Sequence, residues 1–233
     1  MKWIIFTLIA ISFNAFSVEC PKDRKDYFCI PPETVLNSEM NVANFYIIPA
    51  KVMGLFTSEL TALNYPLELK ADWNSPYFGA GVSLYENSFK LMILGGTARM
   101  KEMTLDGYTA IVCHEIGHVI GGDPKQTITG ADWASAEGQA DYFAATTCLR
   151  RFYRSQGITN ETELKNRIEK AGFDFMNLAS KIESDPKNKF FQRAKVSMPE
   201  VDHTIINRYP SIQCRYENFR NQTTTRPTCW YKD

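Results

Sequence analysis

Ile111-Val112-Cys113-His114-Glu115-Ile116-Gly117-His118-Val119-Ile120-Gly121-Gly122 organises the rest of this chain. Ile111, Val112, Ile116 and Val119 recur at helical spacing, which predicts a helix starting near Thr104. Gly121-Gly122, with Asp123-Pro124 beyond, supplies a strong stop. His114 and His118 lie four residues apart, so both imidazoles leave one helix face. That spacing lets two ring nitrogens reach one Zn²⁺ at about 2.0–2.1 Å. Glu115 is offset around the helix, beside such a metal, where its carboxylate can take a proton from an activated water. The chain has 3 histidines, and two of them fall in this stretch.

Working outward, three short strands are expected upstream: Leu67 to Trp73, Ala80 to Tyr85 and Phe89 to Leu94. Glu86-Asn87-Ser88 reads as a hairpin turn between the last two. Val52, Leu55, Phe56, Leu60 and Leu63 predict a scaffold helix from about Pro49 to Asn64. Downstream, residues 124 to 134 read as a loop. A helix is expected from Ser135, as a candidate cap, to about Arg154. Another is expected from about Glu161 to Ser184. After Pro199 the chain should be irregular, broken further by Pro210 and Pro227. The predicted class is α+β, with a small, mainly antiparallel sheet packed on the histidine-bearing helix and further helices.

Two histidines leave a catalytic metal short of its usual three protein ligands. Glu137-Gly138-Gln139-Ala140-Asp141, on the next predicted helix, offers two carboxylates four residues apart on one face. One can bind the metal while the other orients a ligand imidazole through its second nitrogen. Gly117, in mid-helix, is about 1 kcal/mol less favourable than alanine there and suggests close packing under the site. Cys113 points a quarter-turn away from the histidine face. His203, beside Asp202, reads as an ordinary surface histidine.

His-Glu-x-x-His followed by Glu-x-x-Ala-Asp resembles the gluzincin metallopeptidases, and most closely the CAAX-prenyl-protease-type family and its soluble periplasmic relatives. The resemblance implies a zincin-like fold with His114, His118 and Glu137 as Zn²⁺ ligands. It makes Glu115 the general base and Asp141 the partner of a ligand histidine. That family also carries a His-Pro pair followed by an arginine. Here Tyr209-Pro210 and Arg215 stand at matching spacing, with tyrosine in place of histidine, as candidate oxyanion or substrate contacts. Phe89 to Leu94, just before the histidine helix, is the candidate strand for pairing with an extended substrate. The expected activity is hydrolysis of peptide bonds in a protein or peptide substrate. The alternative is a catalytically silent zincin-fold protein that binds a partner through its cleft.

Composition fits these expectations. A formal net charge of +0, with no long basic run, gives no footprint for nucleic acid. Lys2, the apolar run Trp3 to Phe13 and Ala15-Phe16-Ser17 read as an export signal over residues 1–17, cleaved after Ser17. Residues 18–233 then form one expected domain, with no further segment apolar enough to span a membrane. The expected destination is periplasmic or extracellular. The 6 cysteines suit an oxidising compartment and three disulfides. Neighbours pair most simply: Cys20 with Cys29, Cys113 with Cys148, and Cys214 with Cys229 as a staple in the C-terminal tail. Asn160-Glu161-Thr162 and Asn221-Gln222-Thr223 match glycosylation sequons, relevant only in a eukaryotic secretory pathway.

Overall fold

The computed structural model describes Cys20 and residues 29–34, 39–184 and 200–233. The export signal and its cleavage position lie outside the described residues. In chain order the elements are α1 (Val42–Leu55), α2 (Thr57–Thr61), β1 (Leu67–Asp72), β2 (Ala80–Tyr85), β3 (Ser88–Leu94) and α3 (Gly95–Ala98). They continue with α4 (Leu105–Ile120), α5 (Glu137–Phe143), a π turn (Ala144–Cys148), α6 (Leu149–Ser155), α7 (Glu161–Ser184) and α8 (Ile212–Asn221). A small sheet packs against helices, the α+β arrangement expected.

The sheet order is β1-β3-β2. β2 and β3 run antiparallel, whereas β1 runs parallel to β3, so the sheet is mixed. Tyr85 faces Ser88 across a two-residue turn. Glu86 and Asn87 hold φ of 48° and 57°. Two left-handed residues match the right-handed twist of the flanking strands. The order also corrects one expectation. Phe89 to Leu94 belongs to the central strand, hydrogen-bonded on both sides, and offers no edge to a substrate. The strand beside the histidine helix is β2.

α4 is the spine of the fold, with Asp106 through Val119 buried. Thr104 caps it by accepting from the Gly107 N–H. α1 begins well before the expected start at Pro49, with Asn41 as its cap. Pro49 has no N–H for the Phe45 carbonyl, four residues back. The Tyr108 hydroxyl of α4 donates to that carbonyl at 2.9 Å instead. The orphaned acceptor is thereby satisfied inside the core.

α5 starts at Glu137, not at Ser135, and Ser135 is not its cap. The Ser135 and Ala136 N–H groups are already engaged by the carbonyls of His118 and Pro124, which holds both residues in an extended connection. α7 has the expected bounds, and the Asn160 side chain accepts from the N–H groups of Thr162 and Glu163 at its start. α8 lies in the region expected to be irregular. Ser211 caps it by accepting from Cys214 N–H, and its buried face carries Cys214, Arg215, Asn218 and Phe219.

The three expected disulfides are all formed: Cys20–Cys29, Cys113–Cys148 and Cys214–Cys229. Cys113–Cys148 joins α4 to the π turn that follows α5. No helix among the described residues is long and apolar enough to cross a membrane.

Candidate metal centre

Helix spacing brings His114 and His118 together, and the α4–α5 contact brings Glu137 to them. Gly117 makes that contact possible: a Cβ there would lie 2.9 Å from the Ala140 carbonyl oxygen. With glycine the two backbones touch, and one turn earlier Glu137 comes level with the histidines. Behind α5, Gly138 leaves room for Trp230 of the C-terminal tail. A Cβ at Gly138 would lie 2.3 Å from the indole. Trp230 is fully buried, and its Nε1–H donates to Asn218 Oδ1 at 3.1 Å. The tail thus supports the helix that carries Glu137.

Each imidazole is oriented from behind. His118 Nδ1 lies 2.8 Å from the Ser135 carbonyl oxygen, and His114 Nδ1 lies 2.8 Å from Asp141 Oδ1. His118 Nδ1 is hydrogen-bonded to that carbonyl, whereas His114 Nδ1 faces Asp141 at ion-pair distance without proper hydrogen-bond geometry; a proton on each Nδ1 would leave both Nε2 atoms to a metal. Those two Nε2 atoms face each other at 3.2 Å. Glu137 Oε2 lies 3.2 Å from His114 Nε2 and 3.7 Å from His118 Nε2. The three ligand atoms fall within 4.8 Å of one another, and all three residues are buried. No hydrogen bond of proper geometry reaches the buried Glu137 Oε2. Two lone pairs and an unsatisfied carboxylate oxygen converging in a buried space fit a cation, and nitrogen with carboxylate oxygen suits Zn²⁺.

With no metal bound the charges of the site are coupled to one another, and a metal taking His114 Nε2 must displace the proton that Asp141 and Glu137 otherwise keep there. Burial alone would push His114 down, but Asp141 and Glu137 outweigh it and hold the imidazole up to about 10. Burial would likewise raise Glu137, yet His118 and His114 draw it down to about 2. Asp141 is fully buried, and Arg215 and then His114 hold it below the usual carboxylate range against that burial. Arg215 grips Asp141 with two bonds, Nε to Oδ2 at 2.6 Å and Nη2 to Oδ1 at 2.9 Å. Its guanidinium also lies 5.2 Å from the Phe175 ring centre and 5.1 Å from that of Tyr209.

Glu115 shows the opposite behaviour. Burial raises its pKa, with His114 and His118 opposing. It borders both lobes of a cleft over the triad. The first lobe is walled by apolar side chains of α4 and α7 together with Phe78 and Ala80. The second runs along Gly81 and Val82 past His118, Gln126, Trp133 and Glu137. Tyr209 stands between the lobes, half-buried, and its hydroxyl hydrogen-bonds the Glu137 carboxylate. Burial first, and the nearby Glu137 charge second, push that phenol well above its ordinary range.

All seven residues singled out as site candidates therefore meet in one place: His114, Glu115, His118, Glu137, Asp141, Tyr209 and Arg215. Arg215 faces the site from behind Asp141 and is 2% exposed. His203 is apart from the site, exposed and paired with Asp202. By its sequence Ser135 reads only as a cap, although its carbonyl fixes His118. Nothing local in the sequence points to Trp230 or Asn218. The Glu-x-x-Ala-Asp helix carries no signal for the tail that packs on it.

Compared with protein-family models, curated proteins and solved structures, the chain matches none of them. What the fold and site define is a zincin-like metal centre: a buried His/His/Glu triad below a small sheet-plus-helix frame.

Proposed function

We propose that this chain is an exported, Zn²⁺-dependent endopeptidase of the gluzincin type, related in design to the CAAX-prenyl-protease-type family. The observation that carries this reading is the triad of His114, His118 and Glu137 with the Glu115 carboxylate beside it at the cleft. Bound Zn²⁺ supplies Lewis acidity, polarising a carbonyl and acidifying water.

The chain's own residues supply the rest. Among the described residues no side-chain hydrogen bond holds the Glu115 carboxylate, which leaves it available to the cleft. Its raised pKa suits a group that takes a proton from the attacking water and delivers it to the leaving amine. Tyr209 can turn its hydroxyl from Glu137 to an oxyanion developing beside it. Arg215 is assigned to holding Asp141, and through it His114, in place of the substrate contact suggested by sequence.

β2 supports a peptide substrate. Among the described residues it pairs on one side only, with β3. From the closing Tyr85–Ser88 pair, alternation along the hairpin directs the main-chain groups of Ala80, Val82 and Leu84 outward. An extended peptide laid there would add as a strand, held by its backbone whatever its sequence. Three disulfides support an oxidising destination, periplasmic or extracellular.

The test is zinc content together with hydrolysis of an unfolded protein. One zinc per chain and chelator-sensitive cleavage are expected. Zinc without cleavage of any unfolded substrate would overturn the peptidase reading and leave the silent binding protein. Purified protein that takes up no zinc would overturn both.

A further inference from the structure

The two ligand histidines are supported by different routes. His114 Nδ1 faces the Asp141 carboxylate, which Arg215 grips. His118 Nδ1 meets a backbone group instead, the Ser135 carbonyl at 2.8 Å. A carbonyl is placed only as firmly as its chain segment. The aim of His118 therefore depends on what fixes the connection between α4 and α5.

Four successive carbonyls at the end of α4 fix it. Those of Gly122 and Pro124 accept from the Ser135 hydroxyl at 2.7 Å and the Ala136 N–H at 2.8 Å, tying the far end of the connection to its start. Those of Gly121 and Asp123 accept from two side chains, Gln139 Nε2 at 2.7 Å and Arg226 Nη2 at 2.9 Å. These two side chains also join each other, with Arg226 Nε donating to Gln139 Oε1 at 2.7 Å. Gln139 is buried on α5, two residues after Glu137. The Arg226 guanidinium lies over the Tyr142 and Tyr231 rings, 5.4 and 4.5 Å from their centres. A flat, charged fork suits two acceptors at a set angle and strengthens both bonds.

We propose that Gln139 and Arg226 are positioning residues for His118, an inference that rests on the zinc reading of the triad. They hold the Gly121 and Asp123 carbonyls, and thereby the Ser135 carbonyl that aims His118 Nε2 at the metal. Arg215 and Arg226 both lie within the loop closed by Cys214–Cys229. One stapled segment thus serves both histidines: Arg215 through Asp141, and Arg226 through the connection. Loss of Arg226 frees the Asp123 carbonyl, so the connection can turn and take the Ser135 carbonyl with it. The Asp141 route is left as it was.

The test uses the full chain and the variants Arg226→Met and Gln139→Met. In metal-free protein, heteronuclear NMR of the imidazole nitrogens should show a weakened His118 Nδ1 hydrogen bond in both variants. The His114 signals should match wild type. Arg226→Lys, which keeps only one of the two bonds, should show a smaller change of the same kind. Zinc affinity, measured by chelator competition, should fall about tenfold in each of the two methionine variants, the lower end of the loss expected for a ligand's outer support. Both act along one route, so the double variant should lose little more than the larger single loss. Equal changes at both histidines would show a tail merely loosened and would overturn the positioning role. Unchanged His118 signals in both methionine variants would overturn it as well. Selective loosening of His118 in a protein that takes up no zinc would remove the zinc reading and keep the positioning role.

Discussion

Arg215→Met isolates the charge chain behind the metal centre. The side chain it replaces is 3% exposed, and its partner Asp141 is fully buried. Methionine keeps much of the apolar stem but removes both bonds to the carboxylate. Breaking one side of a buried ion pair destabilises by about 3–5 kcal/mol, because the remaining charge is left uncompensated. Loss of the guanidinium over the Phe175 and Tyr209 rings adds about 0.5–2 kcal/mol. Against a typical stability of about 5–15 kcal/mol, that is a large fraction. Urea denaturation of the metal-free protein measures it. Adding Asp141→Asn removes the stranded charge, so the double variant should be less destabilised than the sum of the two single variants by about 1.5–3 kcal/mol. Zinc affinity of Arg215→Met should also fall, by about 10–100-fold, because His114 loses its fixed support. A single variant within about 1 kcal/mol of wild type, or a cycle that is simply additive, would refute the assignment of Arg215 to Asp141.

Glu137→Ala should remove zinc almost completely after mild chelation, whereas Asp141→Ala should weaken binding by about 10–100-fold; metal analysis showing the reverse order would exchange the two roles. Gly138→Ala should destabilise by about 1–3 kcal/mol through overpacking against Trp230, visible as a lower urea midpoint and a changed near-ultraviolet tryptophan signal. Glu59 is held at about 2, first by the Ser58 hydroxyl and then by Arg151, below its ordinary 4.5. A depressed folded-state pKa means that its contribution is present above pH 4.5 and is lost as the pH falls towards about 2. Both partners are more than a third exposed, so that contribution stays below about 1 kcal/mol. Glu59→Gln should flatten the acid decline in melting temperature slightly, and an unchanged slope would contradict the assignment.

The parts legible from sequence were those decided by local chemistry. Thr104 and the glycine pair bound α4, and the Asn87 turn joins β2 to β3. Neighbouring cysteines pair as expected, and α7 shows its apolar face over its whole length. The parts that escaped depend on partners distant in sequence. Pro49 reads as a helix start because the Tyr108 hydroxyl that replaces its missing donor lies 59 residues on. Ser135 reads as a cap because nothing local reveals that its N–H and carbonyl both bind His118. α8 is short, polar and bracketed by prolines, with only Ser211 to announce it. The position of β3 between two strands is a property of the assembled sheet, invisible to periodicity. Within the site, the motif residues could be named from spacing, but the bond from Arg215 to Asp141 and the support from Trp230 could not.

The most direct measurement compares wild type with Glu115→Gln for zinc content and for hydrolysis of an unfolded protein substrate. Glu115 is placed beside the triad and outside it, so both proteins should hold one zinc per chain while the variant loses about 10²–10⁴-fold in rate. Near-normal hydrolysis by the variant, or loss of its zinc, would contradict the account.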